Sequence, residues 1–194
     1  MVRLLLLRHG QSSWNAEGRW QGHADPPLTG LGELQAAAAA RRIAAVASSS
    51  GTVGRVLSSD LQRARRTAEV IAGALALPAV EIDRAFRERD VGAWSGLTGD
   101  EVELAFPGYQ ASGRRPPGWE SDAELLARVL PAVIRIAQAA VDALVVTHGG
   151  ILRALESHLG ASDRSGGVAN LSGRWLHVEG DRLSAGSLVL PPGG

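Results

Sequence analysis

Arg8-His9-Gly10 stands directly after residues 2–7, a run that is apolar except for Arg3. Such a run reads as a buried strand, and a glycine at its end lets the chain turn sharply. The pattern recurs far downstream: residues 143–146 are apolar, and Thr147-His148-Gly149-Gly150 follows. Two histidines, each launched by a strand into a glycine turn, read as two halves of one site. The carboxyl ends of strands are where open α/β sheets bind ligands. An arginine beside a histidine at such a place points to an anionic ligand, most simply a phosphate.

The remaining strand and helix signals fit that frame. Residues 30–47 are alanine-rich and predict a helix capped by Thr29. Residues 55–57 predict a short strand. Ser59-Asp60-Leu61-Gln62 has the form of a capping box and predicts a helix reaching Leu75. Residues 79–82 read as a weak strand. Two more capping boxes, Thr98 to Glu101 and Ser121 to Glu124, predict a short helix ending near Phe106 and a long one reaching Ala140. Pro131 lies inside the long one as a candidate kink. Residues 107–117, rich in Gly and Pro, predict an exposed loop. A helix over 150–159 follows the strand at 143–146. Residues 175–179 and 183–190, split by Gly180-Asp181, predict a terminal hairpin, and residues 191–194 a frayed end. Alternating strands and helices predict an α/β fold: a three-layer α/β/α sandwich with a mostly parallel central sheet, built as a single domain over 1–194.

Composition narrows the chemistry. The chain has no cysteine, which excludes disulfides, thiolate metal sites and a cysteine nucleophile. All 20 basic residues are arginine, so Schiff-base chemistry and a P-loop lysine are excluded as well. Formal net charge is zero, which argues against general attraction to nucleic acid or to a membrane surface. The apolar run at 4–7 is too short for a signal-peptide core or a membrane span, so the expectation is a cytoplasmic protein. No histidine and carboxylate cluster has metal-ligand spacing, and the expectation is no metal and no cofactor.

A neutral imidazole is a competent nucleophile toward phosphorus when one tautomer is fixed, commonly by a ring N–H bond to a backbone carbonyl. His9 is the candidate. Arg8 and Arg63 are the candidate phosphate clamps. Arg63 falls in the first turn of the helix that follows Ser58-Ser59, where free N–H groups and the helix dipole favour negative charge. Arg65 and Arg66 read as surface charges. Transfer of a phosphoryl group from an alkoxide also requires a proton donor. Glu88 and Asp90, in Phe86-Arg87-Glu88-Arg89-Asp90-Val91-Gly92, are both open for that role; the plain alternative for Glu88 is an ion pair with Arg87 or Arg89.

Five segments, in order, carry a resemblance. They are Leu7-Arg8-His9-Gly10-Gln11-Ser12 with Trp14-Asn15; Gln21-Gly22 through Asp25, Pro27-Leu28-Thr29, Gly32 and Gln35-Ala36; Ser58-Ser59-x-Leu61-x-Arg63-Ala64 with Thr67-Ala68; Phe86-Arg87-Glu88 through Gly92-x-Trp94-x-Gly96-Leu97-Thr98; and Thr147-His148-Gly149-Gly150. Together they resemble the histidine phosphatase superfamily, also called phosphoglycerate mutase-like. The resemblance implies His9 as the phosphorylated nucleophile and Glu88 as proton donor and acceptor. It implies Arg8, Arg63 and His148 around the phosphoryl oxygens, helped by Asn15 and the Gly149 backbone. Gln21 and Gly22 would line the substrate mouth. Three departures stand out: Ser13, Ser95, and Trp119 in Gly118-Trp119-Glu120-Ser121, where the family has a second glycine. Trp14, Trp20, Trp94 and Trp119 all lie within or beside these segments, as core or as the wall of a pocket mouth. His23, His158 and His177 match no motif.

The expectation is a metal-independent phosphomonoester hydrolase of the phosphatase branch, acting through phosphohistidine on small phosphorylated metabolites. Its partner is the small substrate, with no nucleic acid and no membrane; a homodimer stays open. The alternatives are a cofactor-dependent phosphoglycerate mutase and a non-catalytic sensor of a phosphorylated ligand. A sensor need not keep nucleophile and acid together, so the intact set of His9, Arg8, Arg63, Glu88 and His148 argues against it.

Overall fold

The computed structural model describes residues 1–50, 53–161 and 167–189. Strand β1 (Val2–Arg8) leads to a one-turn helix, α1 (Ser13–Ala16), and then to α2 (Gly30–Ser50). Next come β2 (Arg55–Ser58), α3 (Gln62–Ala74) and a two-residue β3 (Glu81–Ile82). Helices α4 (Gly99–Ala105) and α5 (Asp122–Ala137) precede β4 (Ala143–Thr147) and α6 (Gly149–His158). The hairpin β5 (Gly173–Glu179) and β6 (Arg182–Val189) follows. The expected strand residue Leu190 and the expected frayed end lie outside the described residues.

One six-stranded sheet has the order β3-β2-β4-β1-β5-β6. The four strands from β3 to β1 are parallel, and the hairpin adds two antiparallel strands at one edge. Residues 4–7 of β1 and 143–146 of β4 are apolar without alternation because both faces of the sheet are covered. Leu4 and Leu6 of β1, with Ala143 and Val145 of β4, pack under Leu125, Val129 and Val133 of α5 and Ile151 and Leu155 of α6. Leu5, Leu7, Leu144 and Val146 point the other way, onto Ala39 and Ala40 of α2 and Ala64, Ala68 and Ile71 of α3. The alanines at i and i+4 on α3 form one face, and their small volume lets two helices approach each other and the sheet closely. The result is the expected three-layer α/β/α sandwich.

Capping explains most helix starts. Thr29 Oγ1 accepts from Gly32 N, 3.0 Å away, at the head of α2. The boxes Thr98/Glu101 and Ser121/Glu124 both form, with side chain and backbone bonded reciprocally. The third expected box does not form. Helix α3 begins after Leu61 with no side-chain cap, and Ser59 lies outside it. The Ser59 hydroxyl is fully buried and bonded to His148 Nε2 at 2.7 Å, so it is not free to cap. Helix α5 runs through Pro131 and stops at Ala137, short of the expected Ala140, which adopts a left-handed φ of 56°.

A smaller apolar cluster stands apart from these two layers. Val91, Trp94 and Val102 are buried there, with Trp20, Leu97, Phe106, Tyr109 and Trp119 packed around them. The three indoles meet in tilted and edge-on pairs with centroids 5.2 to 5.8 Å apart.

Leu144 is fully buried at the centre of β4. Leu144→Ala should cost about 2–5 kcal/mol, the usual range for a truncation that leaves a cavity. Urea unfolding of the purified variant checks this, and a loss below about 1 kcal/mol would mean that the layers around β4 repack freely.

Candidate active site

Parallel pairing of β1 with β4 runs in register from Leu4 against Ala143 to Arg8 against Thr147. The strands therefore end level, and His9 N donates to Thr147 O across the last pair at 3.0 Å. The imidazoles of His9 and His148 end up edge to face with centroids 5.0 Å apart. Close packing holds the first turn: a Cβ on Gly10 would stand 2.6 Å from Gly32 O, so only glycine lets the head of α2 approach. Gly10 N is also bonded to Thr67 Oγ1 of α3 at 3.1 Å.

His9 is buried, and its Nδ1 lies 2.6 Å from the Gly10 carbonyl oxygen. A carbonyl only accepts, so Nδ1 carries the proton and Nε2 keeps its lone pair. Burial pushes the His9 pKa well below its usual value, and the charges of Arg63 and Arg8 push the same way. His148 is lowered too, by burial first and then by Arg63, His9 and Arg8. Both rings are thus held neutral.

The cations are held by backbone carbonyls. Arg63 is fully buried, donating from Nη1 to Ala24 O at 2.7 Å and from Nη2 to Gly22 O at 2.9 Å. Burial brings its pKa down to about 10, which leaves it charged at neutral pH. Arg8 donates from Nη1 to Val168 O, and burial lowers its pKa as well. Four buried side-chain polar atoms among the described residues have no partner. Three belong to this group: Arg8 Nε, Arg63 Nε and His148 Nδ1; the fourth is Trp94 Nε1. Buried donors without partners cost stability, and an anion supplied from outside would satisfy them.

Glu88 joins the group through α6. Its Oε1 accepts from Gly150 N at 3.0 Å and from Arg89 N at 2.7 Å, and its charge acts on both Arg8 and Arg63. The ion pair that would make Glu88 merely structural is absent among the described residues: Arg87 pairs with Asp60, and Arg89 with Asp122. Asp90 is turned elsewhere, accepting from Gly92 N at 2.9 Å. A Cβ on Gly150 would lie 2.3 Å from Glu88 Oε1, so a side chain there would push the carboxylate off its present position.

A cleft of about 690 Å³ opens over these residues. Its walls include Arg8, Asn15, Gln21, Gly22, Glu88 and Gly149, with Gln21 and Gly22, the residues expected at the mouth, among them. His9, Arg63 and His148 are buried behind the walls, each adjacent or bonded to a lining residue. Trp14, Trp20 and Trp119 line the cleft, while Trp94 is the buried centre of the aromatic cluster. Arg65 and Arg66 are surface charges paired with Glu69 and Glu33, as expected.

Several contributors escape a reading by motif. Ser59 orients His148, Asn170 Nδ2 donates to His9 O at 2.9 Å, and Val168 O holds Arg8. His23, set aside in the sequence, donates from Nε2 to Glu88 O at 2.9 Å. Ser59 was legible as a motif letter but not as a histidine partner; Val168 acts through its backbone and carries no sequence signal.

No group of three or more histidines and carboxylates among the described residues is arranged to hold a metal ion. No helix among them is long and apolar enough to cross a membrane.

The two neutral histidines set a pH dependence. Their folded pKa values are depressed, so below about 6.5 the unfolded chain binds protons that the native state refuses. Stability should therefore fall as pH falls from 7 to 5, by up to about 1.4 kcal/mol per pH unit for each ring. Urea midpoints across that range test this. The slope should flatten in His9→Asn and His148→Gln variants; an unchanged slope would assign the loss to other groups.

Known proteins match this chain along nearly its whole length. Residues 4–187 match the model of the histidine phosphatase superfamily, branch 1. A glucosyl-3-phosphoglycerate phosphatase of Mycolicibacterium vanbaalenii is 34% identical, over 95% of this chain and 87% of that protein. A 2,3-bisphosphoglycerate-dependent phosphoglycerate mutase of a Methylobacterium species is 39% identical, over 80% of this chain and 79% of its own length. The structure of a mycobacterial glucosyl-3-phosphoglycerate phosphatase in complex with VO3 superposes with a TM-score of 0.83 at 29% identity, over 98% of both chains. With the paired strand-end histidines and the buried arginines, this match makes the chain a member of the histidine phosphatase superfamily, branch 1.

Proposed function

We propose that this chain, as one catalytic domain over 1–194, hydrolyses small phosphomonoesters through a phosphohistidine formed on His9. The observation that carries the reading is the buried Nδ1 bond to Gly10 O, which leaves a neutral ring with its Nε2 lone pair free. In this reading Glu88 enters the cycle protonated; Nε2 attacks phosphorus, a P–N bond forms as the ester P–O bond breaks, and the leaving oxygen takes the proton from the Glu88 carboxyl, leaving it as the carboxylate. Water then attacks the phosphohistidine, Glu88 takes its proton, and inorganic phosphate leaves with His9 regenerated. Arg8, Arg63 and His148 stabilise the charge on the equatorial oxygens, with Asn15 and the Gly149 backbone beside them. Gln21 and Gly22 shape the mouth. Fixed positive charge does the electrostatic work, so the reaction requires no metal ion.

Hydrolysis rather than mutase transfer is favoured by the short cover. A mutase must shield phosphohistidine from water and hold a second hydroxyl in line. Between Glu88 and β4 this chain has only the aromatic cluster, the seven-residue α4, a turn segment and α5. At the mouth, Arg115 and Arg153 line the cleft and form no ion pair among the described residues, which suits a substrate carrying negative charge beyond its phosphate. The relatives named as glucosyl-3-phosphoglycerate phosphatases agree with that preference.

The purified protein should release inorganic phosphate from reactive monoesters in the presence of EDTA, and His9→Ala should lower that rate by about 10³-fold or more. 3-Phosphoglycerate with 2,3-bisphosphoglycerate should yield little 2-phosphoglycerate; isomerisation outpacing phosphate release would make this chain a mutase. Glu88→Gln should cripple turnover of alkyl phosphates far more than of p-nitrophenyl phosphate, because a good leaving group needs little protonation. Equal losses on both substrates would reduce Glu88 to a structural role.

A further inference from the structure

The motif Gly118-Trp119-Glu120-Ser121 has no part in the reaction sequence above, yet Glu120 is tied to the segment that carries the proposed acid. Arg128, two turns into α5, donates from Nε to Glu120 Oε1 at 2.7 Å and from Nη2 to Glu120 Oε2 at 2.8 Å. The same guanidinium reaches three carbonyls of the strip that ends at Glu88. Nη1 donates to Ala85 O at 2.6 Å and to Arg87 O at 2.9 Å, and Nη2 donates to Glu88 O at 3.1 Å. Three of the five contacts of this rigid fork hold the strip from 85 to 88, and the other two anchor the fork on Glu120.

Glu120 completes the frame. Its Oε2 accepts from Asp90 N at 3.1 Å, its backbone N donates to Asp90 O at 2.9 Å, and its carbonyl accepts from Arg89 Nη1 at 2.5 Å. Burial alone would raise the Glu120 pKa, but its bonds to Arg128 and the Arg128 charge outweigh that and hold it ionised. Both partners are largely withdrawn from solvent, with side chains 25% and 14% exposed. Neither Arg128 nor Glu120 lines the cleft.

We propose that the Arg128–Glu120 pair is the positioning device for the general acid: it clamps the main chain at 85–90 so that the Glu88 carboxyl stays on the leaving-oxygen side of His9. The pair does not line the cleft; the charge of Arg128 also bears on His148, a contribution that a lysine at 128 keeps, and the fork of contacts acts through Glu88. This rests on Glu88 being the acid, and the experiment separates the two ideas.

The test measures kcat and KM on p-nitrophenyl phosphate and on glycerol phosphate for Arg128→Lys, Glu88→Gln and the double variant. Arg128→Lys keeps the charge but loses the fork. It should lower kcat on glycerol phosphate by about 10- to 100-fold, within the range general acids contribute, with little change on p-nitrophenyl phosphate and in KM. The double variant should be no slower on glycerol phosphate than Glu88→Gln, since a residue acting through Glu88 has nothing to lose once the acid is gone. Equal losses on the two substrates, or additive losses in the double variant, would overturn the proposal. If Glu88→Gln fails to discriminate between the substrates, the acid assignment itself fails instead. Should Arg128→Lys not fold, Glu120→Gln leaves the three carbonyl contacts in place and removes their charged anchor. It should give the same split at smaller size, and a loss shared equally, or no loss, would overturn the proposal.

Discussion

Strands β1 and β4 lie side by side, parallel and in register, and the rest of the site depends on that pairing. It brings two sequence-distant strand ends level, so the chain leaves each strand beside the cleft with a histidine. Strand register is strict here because side chains alternate with a period of two. A slip by one residue would exchange the Leu4–Leu6 set with the Leu5–Leu7 set and turn His9 away from His148. Two packed faces, each with its own helices, oppose such a slip.

Electrostatics follow from where the pair ends. Arg8 and Arg63 remain cationic in a place from which water is largely withdrawn; that burial, with their charge added to it, lowers the pKa of both histidines. Backbone carbonyls at Gly22, Ala24 and Val168 satisfy part of each guanidinium. Burying charge with some donors unpaired costs stability. The same donors are then already aimed and desolvated when an anion arrives, so little reorganisation is needed.

The cover is built differently from the base. The base is a sheet with two helical layers; the cover is a cluster of indoles joined to the sheet by loops. Trp94 fills its interior, and Trp20 and Trp119 turn a face to the cleft. The two uses of tryptophan left open by the sequence are therefore both realised, by different residues. Arg115 lies over Trp119, 4.7 Å from the ring centroid, which keeps a cation beside the aromatic wall.

Much was legible in the one-dimensional pattern. The apolar runs at β1 and β4, the glycine turns after them, and the capping boxes of α4 and α5 each rest on local chemistry, and local chemistry is written in neighbouring residues. The order of five motifs carried the family. Tertiary structure decided whatever depended on partners far along the chain. Ser59 looked like a cap and became a histidine partner, because folding buries it against His148. Glu88 and Asp90 were equivalent as letters; they separate because Gly150, brought over from α6, offers its N–H to one of them. The clamp of Arg128 on three carbonyls could not be read at all, since backbone acceptors are the same at every residue and only the fold selects which ones a guanidinium meets.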